Sequence, residues 1–301
     1  MATPMNGGGF SQLLSKDFNK IALGAYMDSP VEYTGLANVS SMPDSYIREG
    51  QVMGLTGLRA TGEGELIDME SYKQGNEKYL YPSKFTLAVG ITQEMYDDDR
   101  TGYMKKAFQE LGKAAAYTKE YKFWDIFNSG FVTTVRTGID GAALFASHTL
   151  LGGGTYSNYA SPAGALSMTT LQSGLTTFAK MVNENGTPAP VRARILWVPP
   201  ELRLVAEKLV GSEYNPENAN HEPNSNEVKS LQYKVMDYAT STTAWCLSAD
   251  KQNHDIRFIT RKPLSLKSYD IPQNEVAVFQ ASMRFVASFV HYRGVYGNAG
   301  A

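Results

Sequence analysis

The sequence predicts an α+β fold made of an N-terminal arm, an extended β-hairpin loop, a long helix and an α/β lobe, closed by a long strand. Three observations predict it. Apolar residues keep helical spacing through residues 100–128, helix signals surround a buried strand between residues 165 and 211, and every odd position from 277 to 289 is apolar. The 301 residues exceed the roughly 100–200 of one ordinary domain, so two lobes or one elaborated domain are expected.

Up to residue 45, short apolar groups alternate with Gly, Ser, Pro and Asn. Only Phe10 to Tyr26 has helical spacing, through Phe10, Leu13, Leu14, Phe18, Ile21, Ala22 and Ala25, which predicts a short amphipathic helix in an arm that docks elsewhere. Residues 50–84 carry glycines at 50, 54, 57, 62, 64 and 75 and charges of both signs, Arg59, Glu63, Glu65, Asp68, Glu70 and Lys73. Short strands around such turns form a hairpin with two polar faces, which buries no core of its own and must lean on a neighbour. Alternation of Phe85, Leu87, Val89 and Ile91 then predicts a strand reaching to about Met95.

Asp97, Asp98 and Asp99 suit either a Mg²⁺ or Ca²⁺ ligand set or a helix start, and the helical pattern behind them favours the start. The helix is expected over 100–128, with Met104, Ala107, Phe108, Leu111, Ala114, Ala115 and Trp124 on one stripe and Lys105, Glu110, Lys113, Lys119 and Glu120 off it. At 1.5 Å per residue it is about 43 Å long, a spine for other elements, and Ser129-Gly130 stops it. Gly152 to Gly154 resemble a phosphate cradle, but no Lys-Ser/Thr pair or strand-to-helix context follows, so they read as a turn.

In the lobe, Ser167 caps a helix with Leu171, Leu175, Phe178 and Val182 on one face, ended by Asn185-Gly186. A buried strand over 193–198 follows, and Pro199-Pro200 open a second helix with Leu202, Val205, Ala206 and Leu209 inward and Gly211 at its end. Residues 212–227 form a polar loop too long for a plain connector. Strands are expected near 230–236, 243–248 and 256–260, then the half-buried strand with Ala277, Phe279, Ala281, Met283, Phe285, Ala287 and Phe289 on one face, whose natural partner is the spine helix.

Lys plus Arg total 28 and Asp plus Glu 30, so a net charge of -2 provides no basic field for avid nucleic-acid binding. Charged residues are 19% of the chain, against about 25% in ordinary domains, beside 18 Tyr and 13 Phe. That balance fits a surface covered by neighbours, because interface cores lose charge and gain aromatics. The single Cys246 excludes a disulfide framework and reads as a buried hydrophobe. Neither an apolar run long enough to span a membrane nor a signal-peptide pattern is present, so a soluble, cytosolically made protein is expected. His148, His221, His254 and His291 lie far apart with no metal, nucleophile-elbow or dinucleotide motif, and no catalytic, cofactor or metal residue is assigned. An enzyme built from remote residues stays open; His148 reads as a hydrogen-bonded loop histidine before it reads as a base.

The order of these features resembles the tailed-phage major capsid proteins of the Hong Kong 97 type, and the wording is most similar to the Mu-like major head subunit family. The matching stretches are Tyr81 to Thr92 with the Asp run before Gly102, Asp140 to Phe145 with His148 and Tyr156 to Asn158, Ile195 to Pro200, Asn218 to Asn226, Ala244 to Leu247, and Tyr292 to Gly297.

The resemblance implies a shell subunit that self-assembles into an icosahedral bacteriophage head of hexamers and pentamers, in the virion, around packaged double-stranded DNA touched weakly on the inner face. It implies an arm over 1–49, an extended loop over 50–84 reaching across a neighbour, a peripheral domain over 85–160 and 251–301 and an axial domain over 161–250. Contact candidates are Arg59, Glu63, Glu65, Asp68, Glu70 and Lys73 in the loop and Asn218, His221 and Asn224 in the polar loop. Lys73, Lys78 and Lys84 are placed where some relatives cross-link. With so short a stretch before the hairpin, a separate scaffolding protein is expected, besides a portal and an optional decoration protein. The alternatives are an encapsulin-like compartment, another phage structural protein such as a tube or decoration subunit, and an α/β enzyme using His148, Asp140 and Asn158.

Overall fold

Helical spacing in the arm and spine produces α1 (Phe10–Met27) and, further along, α2 (Tyr103–Asn128), which pack side by side in a computed structural model describing residues 10–67, 69–92, 94–95, 98–99, 102–214, 223–271 and 276–300. A Cβ at Gly112 would stand 2.1 Å from the Ala22 carbonyl oxygen, so glycine is what lets the helices approach. The spine starts three residues later than expected, behind Gly102 at φ 71°. The Asp99 carboxylate accepts from the Tyr103 and Met104 N–H groups at 3.0 and 3.2 Å, so this acidic residue caps the helix. Asp97 and Arg100 lie outside the described residues.

The spine rests on a four-stranded sheet ordered β1 (Asn38–Ser41), β10 (Ile256–Ile271), β11 (Val276–Phe289) and β4 (Ser83–Thr92). The odd residues of β11 from Ala277 to Phe289 are all buried, as their alternation predicts. Phe279 meets Phe18 of α1 and Phe108 of α2, with ring centroids 4.9 and 4.8 Å away. β10 runs far past the expected end at Thr260, through Pro263, because register shifts between Thr260 and Ser265 accommodate the proline.

On the opposite face of the sheet, Ile259, Val286 and Val290 pack with Ile47, Leu80 and Met42. There the hairpin strands β2 (Ile47–Met53) and β3 (Lys73–Leu80) are rooted. The hairpin is shorter than expected, since Lys84 belongs to β4. Residues 54–72, where described, form neither helix nor strand.

The lobe sheet is ordered β12 (Val295–Asn298), β9 (Trp245–Ser248), β7 (Ile195–Val198) and β8 (Gln232–Val235). Ser167 caps α3 (Met168–Ala179) in a capping box with Thr170, as expected. The helix ends at Ala179, before Asn185-Gly186, because the chain turns into a small hairpin that bridges Val182 and Pro188. After a 3₁₀ turn over Pro200–Leu202, α4 (Arg203–Gly211) buries Ala206 and Leu209. Val205, expected inward, is 36% exposed, since so short a helix meets the lobe along one narrow stripe. A central cluster joins the parts: Trp124 of the spine lies 5.2 Å from Trp197 of the lobe, with Phe127, Phe258 and Phe285 around them. Among the described residues, no helix is long and apolar enough to cross a membrane.

Candidate assembly interface

The hairpin projects from the sheet face opposite the spine, and buried polar groups fix its root. The Glu184 carboxylate, 3% exposed, accepts from the Gln51 side chain at 2.9 Å and the Leu151 N–H at 3.2 Å, and pairs with Arg293 at 2.5 Å. A Cβ on Gly75 would stand 2.6 Å from Leu151, so β3 lies flat on the turn that follows β5 (Ser147–Thr149). Arg257 bridges Glu49 and Asp255, and Arg48 pairs with Glu77 across the strands. Lys78 turns inward, donating to the Thr137 carbonyl at 2.5 Å and to the Phe289 carbonyl. Burial pushes its ammonium down to about 8 against the pull of Asp255 and Asp140. Lys78 is therefore an anchor of the loop and not an exposed cross-linking amine, whereas Lys73 and Lys84 are exposed.

Beyond this root the tip leaves apolar side chains open among its charges. Leu58, Leu66, Ile67 and Met69 range from 81% to 106% exposed. Residue patterns mark the tip's charges and not these residues, which have no periodicity; apolar side chains inside a Gly-rich stretch are the available signal. Among the charged candidates, Glu70 accepts from the Thr56 N–H at 2.8 Å and lies 3.7 Å from Arg59, while Glu65 accepts from the Gly62 N–H at 2.7 Å. Glu63 and Lys73 are exposed, and Asp68 lies outside the described residues.

The polar loop of the lobe contributes differently. Asn218 and His221 lie outside the described residues. Asn224, expected as an exposed contact, is 5% exposed and donates to the Leu209 and Ser212 carbonyls at 2.9 and 3.2 Å, which closes the end of α4. His148 is buried in β5, with Nδ1 2.6 Å from Asp140 and Nε2 3.2 Å from Asn158, and stacks on Tyr292 at 3.8 Å. The three residues named for an enzyme alternative thus form an internal polar node rather than an open cleft. Among the described residues no cluster of His, Cys, Asp or Glu suits a metal ion.

Arm, spine and lobe meet at carboxylates that the sequence did not mark. Glu120, expected on the solvent side of the spine, is 2% exposed and accepts from the Glu32 and Tyr33 N–H groups at 2.8 and 3.1 Å and from the Trp124 indole at 3.1 Å. These donors compensate its burial, which raises its carboxyl above the usual range. Burial, then the hydrogen bond and charge of Asp237, push Glu32 up to about 7. A raised carboxyl binds its proton more tightly in the folded chain. Its contribution is complete below pH 4.5, the ordinary value, and is lost as pH rises through about 7. Melting temperatures are expected to fall between pH 5 and pH 8, with a flatter profile in Glu32→Gln; equal slopes in both proteins would refute this origin.

The sequence profile of the phage capsid protein family matches residues 76–298. No protein of curated function matches the chain by sequence. Among solved structures, a chain of the bacteriophage JBD30 capsid decorated with minor capsid protein trimers aligns with a TM-score of 0.58 at 14% identity, covering 70% of this chain and 92% of that one. A Microbacterium phage Oxtober96 chain aligns at 0.55 and 10% identity, covering 91% and 94%. A chain of the holo-SrpI encapsulin complex from Synechococcus elongatus aligns at 0.54 and 12% identity, covering 89% and 86%. At such identities the likeness is one of fold, and that fold is the Hong Kong 97 type.

Proposed function

The chain belongs to the phage capsid protein family, and on that premise we propose that it is the major head subunit of a tailed double-stranded DNA phage, of the Mu-like type. It is a structural protein of the virion capsid and assembles with copies of itself into a shell. The family match over 76–298, on a Hong Kong 97-type fold, carries this reading. In it, residues 1–49 form the arm, the 50–84 segment crosses a neighbouring subunit, the 161–250 lobe clusters around five- and six-fold axes, and catalysis has no part. The exposed apolar tip supports the crossing, since side chains this open in one subunit are buried by a partner. A separate scaffolding protein, a portal and weakly touched DNA on the inner wall complete the assembly.

The encapsulin reading has the SrpI likeness in its favour. Negative-stain microscopy of the expressed protein, alone and with a candidate scaffold, tests the first reading. Closed angular particles are expected, and particles from infected cells should protect double-stranded DNA from nuclease. Particles filled with an enzyme cargo would favour the compartment. A monomer at high concentration across salt conditions, with a protease-resistant 50–84 segment, would overturn both.

A further inference from the structure

An irregular loop with a fully exposed apolar tip has many conformations to lose on docking, and this tip is held before any partner arrives. Glu70 reaches back across the loop to the N–H and hydroxyl of Thr56, with Arg59 on the same carboxylate, and Glu65 holds the Gly62 N–H. At the base, the Asn185 side chain of the lobe donates to the Leu55 carbonyl at 2.9 Å. We propose that Glu70 is a positioning residue, which shapes the 54–72 tip in the free subunit so that Leu58, Leu66, Ile67 and Met69 are presented to a second copy of this chain.

The chemistry supports this role. A carboxylate gripping a backbone N–H and a hydroxyl across the mouth of a loop makes charge-assisted hydrogen bonds, the strong kind, where no strand ladder is available. The Thr56 hydrogen bonds hold the Glu70 carboxyl below the usual range, so the clamp is fully charged at neutral pH. Fixing the loop beforehand removes ordering cost from the docking step, which lowers the concentration needed for assembly without adding a contact. The second copy is the occupant because members of this family build shells from repeated subunits.

The inference rests on the tip being an interface, and the experiment separates the two. Full-length Glu70→Ala, Glu70→Gln and Ile67→Glu are compared with the wild type by light scattering, melting temperature and amide hydrogen exchange of the unassembled subunit. Glu70→Ala is expected to speed exchange at Thr56 and to raise the half-assembly concentration, each by about tenfold, with melting unchanged. Glu70→Gln, keeping one acceptor, falls between. Wild-type assembly despite faster exchange overturns the positioning role, as does unchanged exchange. Wild-type assembly of Ile67→Glu overturns the interface itself.

Discussion

Replacing Leu58, Leu66 and Ile67 together with Glu is expected to abolish shell formation while the subunit stays folded. All three are at least 81% exposed and touch no core, so the folded chain loses nothing by the change. On docking, each apolar side chain would contribute about 2 kcal/mol, and each replacement instead asks a carboxylate to be desolvated. Withdrawing several such contributions from a repeated contact moves assembly beyond reachable concentrations. Electron microscopy and sedimentation would show dispersed subunits, with circular dichroism and melting as in the wild type. Shells at the wild-type concentration would show that the tip is not an interface.

The second large effect lies in the core. Phe279→Ala is expected to destabilise the chain by about 3–5 kcal/mol. The ring is fully buried between Phe18 and Phe108, which themselves lie 5.0 Å apart, so its removal opens a cavity at the point where arm, spine and sheet join. The denaturation midpoint should drop, and protease should cut α1 before the rest of the chain. A cost below about 1 kcal/mol would mean that the three elements are held elsewhere. Leu87→Ala, at an edge-strand position 53% exposed, serves as the near-neutral contrast.

Much of this architecture could be read from residue patterns, for physical reasons. Period-two burial along 277–289 and the Ser167 cap are local signals that tertiary packing reinforces. What escaped was set by partners remote in sequence. Glu120 looks like a solvent residue until the 32–33 backbone supplies its donors, and Asn224 looks like loop surface until α4 offers its carbonyls. The length of β10 was hidden because Arg261, Lys262 and Pro263 read as a break, whereas pairing with β11 carries the strand through. Charge stands out in the loop's polar stretch, but its apolar side chains are the ones left uncovered.

β11 has a consequence for timing. It is hydrogen-bonded between β10 and β4, and β4 leaves the ribosome more than half a chain earlier. Until β11 emerges, β4 and the spine lack the strand that joins them, and long-range pairing of this kind forms slowly. A nascent chain therefore cannot present a finished subunit to its neighbours.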